Sequence, residues 1–168
     1  MIPEVLKKEL QARVAHAITP REAAVDVMKD IQRHYGWLTD EGVREAAGIL
    51  GLSPLQVEEL ATFYEMIYRR PVGKKVLHVC DSISCWAVGY ETLMAHLSKK
   101  LGVEPGGTTA DGMFTLLPCA CLGMCGDGPA LMVGETLYGR ITLELAEVIL
   151  EKERETCRSD WSRPSSSP

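Results

Sequence analysis

The stretch RRPVGKKVLHVC, residues 69–80, is where the chain changes its grammar. Upstream of it, apolar residues recur at helical spacing between capping and stop signals. Downstream, KKVLHVC is a short β-branched run that reads as a buried strand ending at Cys80. Pro71 marks the change of period. The reading is a helical domain over 1–72 and an α/β domain over 73–156, in a chain of 168 residues that accommodates two small cores.

Working upstream, TPREAAVDVMKDIQRHYG (19–36) offers Thr19 as cap, Pro20 at the first helical position, Glu22 to complete a capping box and Gly36 past the end. That predicts one helix. TDEGVREAAGILG (39–51) closes on Gly51, and SPLQVEELATFYEMIY (53–68) opens on a second capping box, Ser53 with Gln56. A further helix over 3–16 brings the number to four. None repeats another closely enough for a solenoid.

Working downstream, WAVGYETLMAHLSKK (86–100) spaces Leu93 and Leu97 like a helix that Gly102 stops. EPGGTTADG reads as a loop and MFTLLP (113–118) as a second strand. ALMV (130–133) and LYGRI (137–141) read as a hairpin leading to a helix capped by Thr142, so the order is β-α-β-β-β-α. The polar CRSDWSRPSSSP, residues 157–168, reads as a disordered tail.

Hydrophobic residues make up 46% and charged residues 24%, an ordinary globular balance. The net charge of -5 argues against a nucleic-acid partner, because neutralising phosphates takes a basic surface. The opening MIPEVLKKELQARV carries Glu4 and Glu9 and has no long apolar run, which argues against a signal or transit peptide. No segment reaches the roughly 18 apolar residues of a membrane span, so direct membrane insertion is not expected. A cytoplasmic setting follows, where clustered cysteines more often bind metal or do redox work than form disulfides.

Five of the six cysteines fall into two groups: Cys80 and Cys85 in VCDSISC (79–85), and Cys119, Cys121 and Cys125 in PCACLGMC (118–125). Both groups follow predicted strands. A C-x4-C pair, a gap of 35 residues and a C-x3-C pair suit thiolate ligation of two sulfide-bridged irons. Gly123, Gly126 and Gly128 let the second loop turn tightly and bring amides to the sulfurs, where they would tune the reduction potential. A structural thiolate zinc module is the rival on spacing. A plant-type ferredoxin would need a cysteine where Val88 stands, a Rieske centre would need two histidines, and a thioredoxin-type dithiol would need C-x2-C. Spacing leaves Cys119 and Cys121 tied, since residues two apart in an extended segment share a side.

At these residues the chain resembles a family: the thioredoxin-like [2Fe-2S] subunit of respiratory complex I, NADH:quinone oxidoreductase, found also in NAD-linked hydrogenases and formate dehydrogenases. The motifs that carry it are ATFYEMI (61–67), VCDSISC (79–85), DGMFTLLP (111–118) and CLGMC (121–125). The resemblance implies an α+β fold in which an N-terminal helical bundle precedes a thioredoxin-like α/β domain with a four-stranded sheet. It implies one [2Fe-2S] cluster on Cys80, Cys85, Cys121 and Cys125, leaving Cys119 as an extra thiol. It implies electron transfer as the role, with no catalytic residue in the chain itself. FMN and NADH would sit on a partner flavoprotein subunit, among other peripheral-arm subunits, in an assembly peripheral to the inner membrane.

The remaining signals read as ordinary structure. His16, His34, His78 and His96 lie on predicted helices or in a strand, and receive no role. Thr62, Phe63 and Tyr64 read as helix packing between the domains, and Trp86 as a shield for the cluster or a plain core residue. GMCGDG has its glycines in the wrong order for a dinucleotide fingerprint, and no P-loop occurs, which places nucleotide and flavin elsewhere.

Overall fold

The structure, a computed structural model, describes residues 1–161, with side chains for residues 1–156. It divides into two compact units, Met1–Pro71 and a second beginning at Val72.

The first unit contains four helices, α1 (Glu4–His16), α2 (Ala24–Tyr35), α3 (Asp40–Leu50) and α4 (Pro54–Phe63). Leu10, Met28, Ile31, Leu50 and Val57 are at most 1% exposed and form its core. Each such side chain contributes about 1.5–3 kcal/mol by leaving water. Thr39 caps α3 by accepting from the Gly42 amide at 2.9 Å, and Ser53 with Gln56 forms a complete capping box on α4.

Two boundaries differ from the expectation. Residues 20–23 are a turn, and α2 starts at Ala24, because the Glu22 carboxylate accepts from the Ile18 amide at 2.9 Å instead of closing a box onto Thr19. Helix α4 ends at Phe63, five residues short of Tyr68, because side chains from elsewhere capture the following backbone. The Gln32 amide donates to the Met66 carbonyl at 3.0 Å and accepts from the Tyr68 N–H at 2.6 Å. Arg69 then donates to Glu58 at 2.9 and 3.0 Å, to Asp40 at 2.7 Å and to the Leu38 carbonyl.

The second unit is built on β1 (Lys75–Cys80), α5 (Ile83–Ala87), α6 (Tyr90–Leu101), β2 (Phe114–Cys119), β3 (Leu131–Val133), β4 (Thr136–Tyr138) and α7 (Leu143–Trp161). Its four strands form one mixed sheet in the order β2-β1-β3-β4, parallel between β1 and β2 and antiparallel elsewhere. Alternate residues of the sheet, among them Leu77, Val79, Leu116 and Leu131, share a core with Leu93 and Leu97 of α6 and Ile149 of α7. The expected four-stranded sheet and helical first half are both present. Among the described residues no helix is long and apolar enough to cross a membrane.

Three details depart from the sequence reading. The single helix expected over 86–100 is two, parted at Val88 and Gly89, where Gly89 takes φ +118. Pro118 does not end β2; it sits inside the strand opposite Val79, so that Cys119 belongs to the ladder. This is tolerated because β2 is an edge strand. Its outward groups meet a loop: Phe114 and Leu116 accept from the amides of Thr109 and Gly106 at 2.8 and 2.7 Å, and Leu116 donates to the Gly107 carbonyl at 3.0 Å. Finally, α7 continues through residues 157–161, where a disordered tail was expected; residues 162–168 of that tail lie outside the described residues.

Candidate iron–sulfur site

The ends of β1 and β2 deliver the sulfurs. Cys80 is the last residue of β1, its amide donating to the Ala130 carbonyl at 3.0 Å, and Cys85 follows within α5. Both are 1% exposed. Cys121 lies in the loop beyond β2, and Cys125 opens a 3-10 turn, Cys125–Asp127. Both are exposed.

The four sulfurs converge: Cys80 acts on the thiols of Cys85, Cys121 and Cys125, and Cys125 on those of Cys85 and Cys121. Burial, with the hydrogen bond to Cys80 next, pushes the Cys85 thiol up, and the charge of Cys125 adds to it. The Gly123 amide, donating to the Cys121 sulfur at 3.4 Å, holds that thiol below its ordinary value, with Cys125, Ser82 and Cys80 contributing. Cys125 is pushed up, chiefly by its hydrogen bond to Cys121. An amide aimed at a sulfur is the device that stabilises negative charge on a thiolate.

Gly123 can make that bond because it adopts φ +78, a left-handed turn that side chains resist. Gly126 lies in the 3-10 turn with open space around it. Gly128 backs the site from the other side: a Cβ there would stand 2.9 Å from Val88 Cγ2 and 3.4 Å from the Cys85 sulfur. Behind the Cys125 turn, a Cβ at Gly139 would meet the Asp127 carbonyl at 2.8 Å. Ala130, Leu122 and Met124 enclose Cys80 and Cys85 in a small apolar cluster of their own.

Among the described residues no three His, Cys, Asp or Glu side chains gather around one point as a single metal ion requires. Four sulfurs, two on each of two segments, match the thiolate ligation of a core of two sulfide-bridged irons. The donor set is all thiolate, which fits iron and sulfide.

The family-wide profile of the thioredoxin-like [2Fe-2S] ferredoxins matches residues 8–154. The chain belongs to that family. An NADH-quinone oxidoreductase subunit from Escherichia coli K12 is 40% identical over 146 residues, 87% of this chain and 88% of that protein. Its counterpart in Pseudomonas aeruginosa is 36% identical over 151 residues, 90% of this chain and 91% of that protein. The fold also resembles part of an NAD+-reducing [NiFe]-hydrogenase, with a TM-score of 0.66 at 20% identity, over 82% of this chain and 24% of the hydrogenase chain.

As a thioredoxin-like [2Fe-2S] ferredoxin, the chain has one [2Fe-2S] cluster as its cofactor. Sequence reasoning missed Ser82 and Ser84, whose hydroxyls act on the Cys121 and Cys125 thiols; they stand between the two cysteines of VCDSISC, and that alternation was the available signal. It also missed Ala130 and Gly139. Of the residues given ordinary roles, His78 is buried in β1, Phe63 and Tyr64 lie at the end of α4, and Trp86 is 53% exposed on α5, not a core residue. Phe63 and Tyr64 meet edge to face at 5.2 Å.

Proposed function

We propose that the chain is the electron-transfer subunit of an NADH:quinone oxidoreductase and holds its cluster on Cys80, Cys85, Cys121 and Cys125. The observation that carries this reading is the convergence of four cysteine sulfurs beyond the ends of two parallel strands, where Cys80 acts on the thiols of the other three. When bound, the cluster supplies one-electron redox chemistry.

The chain's own residues hold and tune it. Cys80 and Cys85 anchor one side in regular structure, out of water; Cys121 and Cys125 close the other. The Gly123 amide stabilises the negative charge that reduction adds to the sulfurs and so eases reduction. The exposed Ile83 and Trp86 of α5, with Val88 just past its end, put apolar surface beside Cys85 on the outside of the site.

The electron donor is a flavoprotein subunit that carries FMN and binds NADH, with further peripheral-arm subunits completing a cytoplasmic assembly at the inner membrane. Phe63 and Tyr64 are its candidate apolar contacts. The relatives at 36% and 40% identity favour this setting over a hydrogenase or formate dehydrogenase. The test is electron paramagnetic resonance of the dithionite-reduced chain, together with iron and sulfide analysis of an anaerobic preparation. Two irons and two sulfides per chain with a reduced-cluster signal is the expected result. A colourless protein with stoichiometric zinc would end the proposal.

A further inference from the structure

The four sulfurs are not equally open. Cys80 and Cys85 are each 1% exposed, whereas Cys121 and Cys125 are exposed. The inner pair is fixed by regular structure, one at the end of β1 and the other inside α5. The outer pair rides on a segment centred on the left-handed Gly123. Leu122 and Met124, half-buried, pack onto Cys80, Cys85 and Ala130 from that same segment. Anything arriving from solvent therefore meets Cys121 and Cys125 first, and the side chains packed on the inner pair belong to the segment that carries the outer one.

We infer, resting on the reading above that these cysteines hold the cluster, that the chain acquires it in a fixed order from a donor that carries a [2Fe-2S] cluster on exchangeable thiolates. Cys121 and Cys125 bind first, and Cys80 and Cys85 second. At each exchange a cysteine sulfur forms its bond to iron as the bond from iron to a donor sulfur breaks, and the proton leaving the cysteine ends on the departing donor thiolate. Iron oxidation states and bridging sulfides stay unchanged, so no oxidant or reductant is needed. Once the outer pair is bound, the donor still supplies two thiolates. Displacement of Leu122 and Met124 then opens the way for Cys80 and Cys85 to replace them. Accessibility sets the order, as it does in other thiolate exchanges.

The experiment uses the full chain without its cluster, mixed anaerobically with the glutathione-coordinated [2Fe-2S] cluster. Uptake is followed by visible circular dichroism and the bound species by native mass spectrometry. The Cys80→Ser/Cys85→Ser variant is expected to keep the first kinetic phase and to accumulate a complex of chain, cluster and two glutathiones. The Cys121→Ser/Cys125→Ser variant is expected to slow the first phase by about tenfold or more and to show no such mixed complex. Should the serine pair at 80 and 85 lower the melting temperature, Cys80→Ala/Cys85→Ala, which buries no hydroxyl, repeats the measurement. The reverse pattern, or equal slowing in both variants, overturns the order while leaving the cluster site standing. Absence of uptake by the unmodified chain overturns the site as well.

Discussion

Cys80 and Cys119 are register partners across the parallel β1–β2 ladder, and the Asp81 amide that follows the one donates to the carbonyl of the other at 2.9 Å. Cys119 is 3% exposed there, while Cys121, two residues on, lies beyond the strand, and it is the Cys121 thiol that Gly123, Cys125, Ser82 and Cys80 lower. Cys119→Ser should keep the electron paramagnetic resonance signal of the reduced cluster, and Cys121→Ser should lose it or change it strongly. The opposite pair of results would move the ligand from 121 to 119.

Replacing Gly123 by valine forces a β-branched side chain into φ +78, a penalty of about 1–2 kcal/mol or more. The turn will open, and the amide will leave the Cys121 sulfur. Redox titration is expected to show a lower cluster potential or a chain without cluster. An unchanged midpoint would remove Gly123 from any tuning role.

Gly139 lies outside the cysteine motifs, yet its place against the Cys125 turn leaves no room for a methyl group. Gly139→Ala puts a carbon 2.8 Å from the Asp127 carbonyl and 2.9 Å from Met124 Cε. The overpacking should cost about 1–3 kcal/mol and reduce cluster retention during gel filtration. Wild-type retention and melting would show that the turn yields freely.

The Gly123 amide holds the Cys121 thiol below the ordinary thiol range, and the hydrogen bond to Cys121 pushes the Cys125 thiol up. Alkylation requires the thiolate, so as pH rises Cys121 should react with iodoacetamide first and Cys125 at distinctly higher pH. Peptide mapping of samples quenched at successive pH values reads the order directly. Coincident profiles would remove the Gly123 amide as the cause.

Arg69→Lys keeps the charge but not the fork that reaches Glu58, Asp40 and the Leu38 carbonyl together. A loss of about 1–3 kcal/mol is expected, seen as earlier thermal unfolding with no change in cluster content. Arg69 hydrogen-bonds the Asp40 carboxyl and lowers its pKa. A lowered folded-state pKa stabilises above the ordinary carboxylate value and is lost as pH falls through the folded one. The variant should therefore show a flatter acid limb in its stability profile. An equally steep limb would put that dependence elsewhere.

Much of this arrangement can be read from the residues. The caps Ser53 and Gln56, the stops Gly36, Gly51 and Gly102, and the β-branched run ending at Cys80 are local signals with local causes, and the elements they predict are present. The failures come from distant partners. Nothing in residues 64–68 reveals that Gln32 will take two of their backbone groups, nor does Pro118 declare that its strand is at an edge. At the site, spacing brings out the two cysteine groups but not the choice between Cys119 and Cys121, which depends on where β2 ends. The roles of Ala130 and Gly139 emerge only from close approach in space.

The loop laid along β2 has a consequence for how the protein associates. Edge strands are templates onto which a foreign strand can be added, and a sheet of four strands has two of them. On β2, the outward groups of Phe114 and Leu116 are already occupied by residues 106–109, and at Pro118, next in the alternation, the chain offers no N–H. On the other side β4 is only three residues long. The sheet thus offers little edge for fibril-like propagation. Recognition by other chains falls to side-chain surfaces, which leaves the backbone free to keep the sulfur-bearing strand ends in register.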